Sequence, residues 1–188
     1  MIEVEVRGSL EGEGAERLRT HADAHAKEKH AYRETAIYFR TDTIETFGSF
    51  ESGRARLMAN QKQFADGRVE QRVKLKLGNP SGDGREEHEL DFGNHGLRSF
   101  FEILKRLGIA EASFRTCERH DYILDKVTAT LKYGHVVGDH FEIEAGAESL
   151  SDVPRVKQLL LDFVAPFGLP VWTEEEFTNV IVASRSKA

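Results

Sequence analysis

Residues 1–7 read MIEVEVR. Ile2, Val4 and Val6 alternate with Glu3, Glu5 and Arg7, the period-two pattern of a strand with one apolar face. The opposite face carries two acids and then a base. A solvated edge strand tolerates that mixture, so its meaning depends on whether other strands repeat it.

Side chains two residues apart share a strand face, and sorted in this way the pattern recurs. "RAR" places Arg54 and Arg56 together, and "RVKLKL" sets Arg72, Lys74 and Lys76 against Val73, Leu75 and Leu77. "REEHE" places Arg85, Glu87 and Glu89 on one face, and "RTCER" places Arg115 and Arg119 on one face with Cys117 between them. "FEIE" sets Glu142 and Glu144 against Phe141 and Ile143. Three of these segments carry carboxylate pairs spaced E-x-E, and the others are mostly basic. Packed inward without ligands, such faces would cost several kcal/mol for each unpaired charge. If the sheet curls into a barrel, its lumen must be wet and receive something charged. Carboxylate pairs suit a hard divalent cation, Mg²⁺ or Mn²⁺, and clustered Arg and Lys suit phosphate. A metal with a polyphosphate in one cavity is one reading of the pattern. A solvated amphipathic sheet is the other.

Composition narrows the setting. The 188 residues, 39% hydrophobic and 31% charged, describe a globular chain with enough length for one substantial core. A net charge of −6 argues against nucleic acid as the main partner. One cysteine, Cys117, excludes an intramolecular disulfide framework and suits a reducing compartment. With no membrane-length apolar run and no basic-then-apolar leader, the expected location is the cytoplasm.

The order of elements predicts an α+β fold with a mainly antiparallel sheet. A helix is expected from about Ala15 to His30, then a strand at "RETAIYF". "GRARLMA" and "GRVEQRVKLKLG" read as two strands joined by the polar turn "NQKQFADG", with the stronger turn "NPSGDG" following. "NHGLRSFFEILKRLG" is the clearest helix, with Asn94 as its cap, Leu97, Phe100, Phe101, Leu104 and Leu107 as its apolar face and Gly108 as its stop. Near the C-terminus, Ser151 is the expected cap of a helix burying Val153, Val156, Leu159, Leu160, Phe163 and Phe167. Thr173 and Glu176 have capping-box spacing.

These residues also resemble a family. "EVEVR" at Glu3–Arg7 is similar to the E-x-E-x-K/R signature that opens CYTH-domain proteins, the triphosphate tunnel metalloenzymes. That family includes class IV adenylyl cyclases, thiamine triphosphatases and inorganic triphosphatases. "GRARL", "VKLKLGNP", "REEHE", "LGIAEASFRTCERHDY" and "GDHFEIE" resemble its later motifs in the same order, over about Met1 to Ala147.

The resemblance implies an eight-stranded antiparallel β-barrel forming a tunnel, with helices packed outside and a helical C-terminus. A single domain over 1–188 is expected, with 1–147 as the barrel core and 148–188 as a helical segment that covers a tunnel mouth or builds a homodimer contact. Glu3, Glu5, Glu142 and Glu144 would hold Mg²⁺ or Mn²⁺, with Glu87 and Glu89 as further candidates. Arg7, Arg54, Arg56, Lys74, Lys76, Arg85 and Arg119 would line the path of a small-molecule triphosphate. Three positions depart from the family pattern. Lys132 stands where an Asp is usual, which puts a second metal position in doubt and adds Lys132 to the substrate-facing cations. Cys117 replaces a base, for which Arg115 on the same face can substitute, and Arg7 stands where lysine is commoner.

Hydrolysis and cyclisation use the same parts. Lys74 or Lys76, its pKa lowered by neighbouring cations, is the expected base. Phosphohydrolysis is expected, because it requires recognition of the triphosphate tail alone. Cyclisation of ATP to cyclic AMP and non-catalytic binding are the alternatives. His21 and His25, four apart on a helix, have zinc-compatible spacing but no third ligand.

Overall fold

The computed structural model describes residues 2–39, 55–77, 85–93, 96–109 and 111–185. Their fold is α+β, with eight antiparallel strands, four α-helices and a helical C-terminus. The order is β1 (Ile2–Ser9), α1 (Gly12–His25), β2 (Glu28–Phe39), β3 (Ala55–Phe64), β4 (Val69–Leu77), β5 (Arg85–Gly93) and α2 (Gly96–Arg106), then β6 (Glu111–Ile123), β7 (Thr128–Tyr133), β8 (His140–Ala147), α3 (Val153–Val164) and α4 (Glu174–Arg185). Two compact units share these elements. One holds β1, α1, β7, β8, α3, α4 and the Cys117–Ile123 end of β6. The other holds Tyr32–Phe39 of β2 with β3, β4, β5, α2 and the start of β6. Among the described residues no helix is long and apolar enough to cross a membrane.

In the first unit the strands run in the order β6-β7-β8-β1. Val6 lies opposite Ile143, and Gly8 opposite Phe141. Ala129 lies opposite Ile143 and Leu131 opposite Phe141. These apolar side chains form one face, which packs with Leu18 and Ala22 of α1 and Val153, Val156, Leu160 and Val164 of α3. Burying such a side chain fully is worth about 1.5–3 kcal/mol, so α1 and α3 hold this face of the sheet. Gly8 is the tight point. A Cβ there would meet the Pro170 carbonyl oxygen at 1.9 Å and the Phe141 ring at 2.7 Å. The missing side chain lets the chain after α3 return to β1, where Gly8 bridges Val171 and Trp172 N–H donates to the Arg7 carbonyl at 2.8 Å.

In the second unit the order is β2-β3-β4-β5. Phe39, Leu57, Ala59 and Val73 pack against Leu97, Phe100, Phe101 and Leu104 of α2. Gly108 ends that helix as expected, with φ 75° and the Ile109 N–H donating to the Leu104 carbonyl at 3.0 Å.

Several local expectations shift. α1 stops at His25, and β2 begins at Glu28, inside the stretch expected to be helical. Lys27 N–H donates to the Ile123 carbonyl at 2.8 Å, so long-range pairing overrides a helical preference that was weak locally. "NQKQF" belongs to β3, because Asn60, Gln61 and Lys62 pair with Arg72, Gln71 and Glu70. Only Ala65–Arg68 form the turn, with Asp66 accepting from the Arg68 N–H at 2.9 Å. Ser151 does not cap α3. It sits in a 3₁₀ turn (Leu150–Asp152), and Ser149 Oγ bonds to Asp152 instead. The Thr173–Glu176 capping box does form, at 2.7 and 3.2 Å. Asn94, the "NPSGDG" turn and Arg54 lie outside the described residues.

Candidate metal and phosphate site

The other face of the first unit carries the charge, and strand register decides which charges meet. Glu5 of β1 lies opposite Glu144 of β8, Glu3 opposite Gly146, and Arg7 opposite Glu142. On β7, Thr130 pairs with Glu142 and Lys132 with His140. On β6, Arg119 pairs with Lys132 and Asp121 with Thr130. One polar surface therefore runs across four strands.

Two groups separate on that surface. Carboxylate oxygens of Glu3, Glu5 and Glu144 lie within 4.8 Å of one another and are half-buried. Like charges directly opposite across a ladder are unfavourable, and this is the arrangement a cation relieves. Oxygens ligating a common Mg²⁺ at about 2.1 Å stand about 3.0 Å apart in cis and about 4.2 Å in trans. The three carboxylates therefore fit a hard divalent ion in donor chemistry. By register, Glu3, Glu5, Glu142, Glu144 and Asp121 share this surface with Arg7, Lys132 and Arg119.

Glu142 sits differently. Its Oε2 accepts from Lys132 Nζ at 2.7 Å and its Oε1 from Arg7 Nε at 3.1 Å. Burial would raise its carboxyl, but Lys132 and Arg7, with His140 and Arg119, outweigh that and hold it well below the usual carboxylate range. Arg7 also pairs with Glu5, which ties the two groups together. His140, 2% exposed, is pushed down to about 4 by burial first and by Lys132 second, and is neutral at pH 7. Its Nδ1–H donates to the Gly138 carbonyl at 2.8 Å.

Asp121 and Thr130 join this face in addition to the residues expected there. Asp121 accepts from Arg119 Nε at 2.7 Å and from Thr130 Oγ1 at 2.9 Å. A signal existed, since Asp121 shares the strand parity of Arg119. Cys117, on the same parity, is buried.

The second unit carries its own polar face. Lys74 Nζ lies 2.6 Å from Glu87 and 2.7 Å from Glu89, and Lys76 Nζ lies 2.7 Å from Glu87. Arg72 donates to Glu89 at 2.6 Å. Glu87 and Glu89, expected as further metal candidates, are thus in ion pairs with these cations. Lys74 meets the opposite of the expected environment. Burial would lower its pKa, but Glu87 and Glu89 raise it, so Lys74 is held protonated rather than primed as a base. Glu87 in turn is lowered to about 2, because Lys74 and Lys76 overcome the effect of burial. Arg115 lies with its guanidinium 4.8 Å from the Tyr38 ring centroid. Arg56 and Arg85 are placed by backbone, on β3 opposite Lys76 and at the start of β5. His21 and His25 stack at 4.3 Å, but among the described residues the gathering of three ligand-type side chains is Glu3, Glu5 and Glu144.

Residues 1–176 match the CYTH domain profile, and the chain belongs to the CYTH domain family. A Pyrococcus horikoshii protein of solved structure shares the fold at TM-score 0.78 and 22% identity, over 96% of this chain and 98% of that one. A candidate adenylate cyclase of Vibrio parahaemolyticus is similar at TM-score 0.68 and 15% identity, over 97% and 98% of the two chains. A candidate adenylyl cyclase of Hippeastrum, described as having a dominant triphosphatase activity, is similar at TM-score 0.59 and 17% identity, over 90% and 89%. A search among curated protein sequences finds no match.

Proposed function

We propose that the chain is a divalent-metal-dependent phosphohydrolase acting on a small-molecule triphosphate in the cytoplasm. The observation that carries this reading is the juxtaposition of Glu3, Glu5 and Glu144 with the Arg7–Glu142–Lys132 chain of ion pairs. The three glutamates would hold Mg²⁺ or Mn²⁺, and a bound ion would neutralise charge on phosphate oxygens. Arg7, Lys132 and Arg119 would donate to the remaining oxygens, and Glu142 and Asp121 keep those cations aimed along the face. Arg54, Arg56, Lys74, Lys76, Arg85 and Arg115 add phosphate-binding cations on the second unit in the same proposal.

Phosphoryl transfer depends mainly on positioning and charge neutralisation, so a water attacking the terminal phosphorus needs no neutral lysine. That is consistent with the raised Lys74 pKa. Lys74 and Lys76 then act in catalysis as fixed positive charges. The dominant triphosphatase activity of the Hippeastrum protein makes hydrolysis the preferred reading over cyclisation.

The test is incubation with inorganic triphosphate, ATP and thiamine triphosphate, with and without Mg²⁺ or Mn²⁺. Phosphate release that needs metal and is abolished by Glu5→Gln is the expected result. Cyclic AMP with pyrophosphate from ATP would make the protein a cyclase. Binding without turnover would make it a binding module, and absence of binding would overturn the reading altogether.

A further inference from the structure

Strand parity puts Glu142 and Glu144 on one face, as a pair alike in chemistry. The structure treats them differently. Glu144 lies opposite Glu5 across the β1–β8 ladder and shares the gathering of carboxylate oxygens with Glu3 and Glu5. Glu142 lies opposite Arg7, and each of its oxygens meets a cation. Oε2 accepts from Lys132 Nζ at 2.7 Å, and Oε1 accepts from Arg7 Nε at 3.1 Å. The three side chains are between 11% and 13% exposed, so these charges are poorly screened by salt and water.

Such surroundings oppose metal ligation. A divalent ion bound to Glu142 at about 2.1 Å would stand no more than about 5 Å from the Lys132 ammonium or the Arg7 guanidinium, where like charges repel strongly in a weakly screened setting. Arg7 also pairs with Glu5, but Glu5 lies opposite another carboxylate, and that juxtaposition favours a further cation. Glu142 already has two.

We propose that Lys132 is the standing counter-cation of Glu142, so that the polar face of the first unit takes a single divalent ion, at Glu3, Glu5 and Glu144, with Glu142 outside its ligand set. The inference rests on the metal-dependent reading above and narrows it. It departs from the ligand set that the family resemblance implies, in which Glu142 and Glu144 act alike. The Lys132 ammonium supplies beside Glu142 the positive charge that a cluster of carboxylates alone would draw from a second ion.

Mn²⁺ is the probe, and metal binding with no triphosphate present is the readout. The full-length protein is titrated with Mn²⁺, with calorimetry for affinity and the electron paramagnetic resonance of free Mn²⁺ for stoichiometry. One Mn²⁺ per chain is the expected count. Loss of even an outer-shell partner of a metal costs about 10–100-fold in affinity, so Glu144→Gln should weaken binding about ten-fold or more, whereas Glu142→Gln should leave most of the affinity in place. Lys132→Asp, which puts a carboxylate where the ammonium stands, should raise the count to two. Two Mn²⁺ per parent chain, a loss from Glu142→Gln as large as that from Glu144→Gln, or a count still at one in folded Lys132→Asp would overturn the proposal while leaving the metal-dependent reading intact. The first two measurements hold whether or not Lys132→Asp folds. If the parent binds no Mn²⁺, the metal-dependent reading falls and this inference with it.

Discussion

Replacing Lys132 by Met removes one of the two cations that flank Glu142 while keeping the length of the side chain. Lys132 and Glu142 side chains are 11% and 13% exposed and 2.7 Å apart. Breaking a buried pair by deleting one partner costs about 3–5 kcal/mol. Glu142 keeps Arg7 at 3.1 Å, which sets the expectation at the lower end, about 3 kcal/mol. For a chain of this size that lowers the melting temperature by about 6–12 °C at neutral pH. The pH dependence has a definite sign. The folded state holds the Glu142 carboxyl well below its ordinary 4.5, so the stabilisation is present above that pH and lost as pH falls beneath it. The gap between Lys132→Met and the parent is therefore widest above pH 4.5. Below that it closes by up to about 1.4 kcal/mol per pH unit. Loss of Lys132 also removes a charge that lowers the His140 pKa, which closes the gap further in the same direction. Urea unfolding followed by circular dichroism between pH 3 and 8 measures it. A gap below about 1 kcal/mol at pH 7, or one independent of pH, would refute the reasoning.

Three other perturbations test separate features. His140 titrates at about 4 when folded against 6.5 unfolded, so the parent should lose on the order of 3 kcal/mol as pH falls from 6.5 to 4. His140→Phe should flatten that part of the stability curve in the same unfolding assay. Glu87 is held at about 2 by Lys74 and Lys76, so its contribution is present above pH 4.5 and disappears as pH falls towards 2. Glu87→Gln should be destabilised at pH 7 and match the parent at pH 2, and equal stability at both pH values would count against the ion-pair cluster. Gly8→Ala should displace the segment around Pro170, since backbone and ring atoms stand within 2.7 Å of the new Cβ. Faster hydrogen exchange at the Trp172 amide is the expected readout.

Much of the charged face was legible because strand parity is a local property. Ile2, Val4 and Val6 had to lie opposite Glu3, Glu5 and Arg7 wherever the strand was placed. The capping box at Thr173 was legible for the same reason, since its partners lie three residues apart. Parity names a face but not a neighbour. It grouped Glu142 with Glu144, yet Glu144 joins Glu3 and Glu5, whereas Glu142 is taken by Arg7 and Lys132. It also grouped Lys74 with Lys76 as mutually crowding cations, without the carboxylates of β5 that surround them.

Alternation along each strand is enough to say which side chains face together, and so to name the mixture of carboxylates and cations that a metal–phosphate site requires. Membership of the family is legible in the sequence too, through motifs kept in order. The pairing of those charges follows from register, which between β1 and β8 joins residues more than a hundred positions apart in the chain and between β7 and β8 sets Lys132 beside Glu142. The tertiary fold alone brought Trp172 and Phe177 beside Arg7, through a return of the tail to β1 that the absent side chain of Gly8 permits. Local pattern sets orientation. Contact between distant segments depends on packing and hydrogen bonding of the whole chain, and on this protein the difference separates a charged strand from a candidate site.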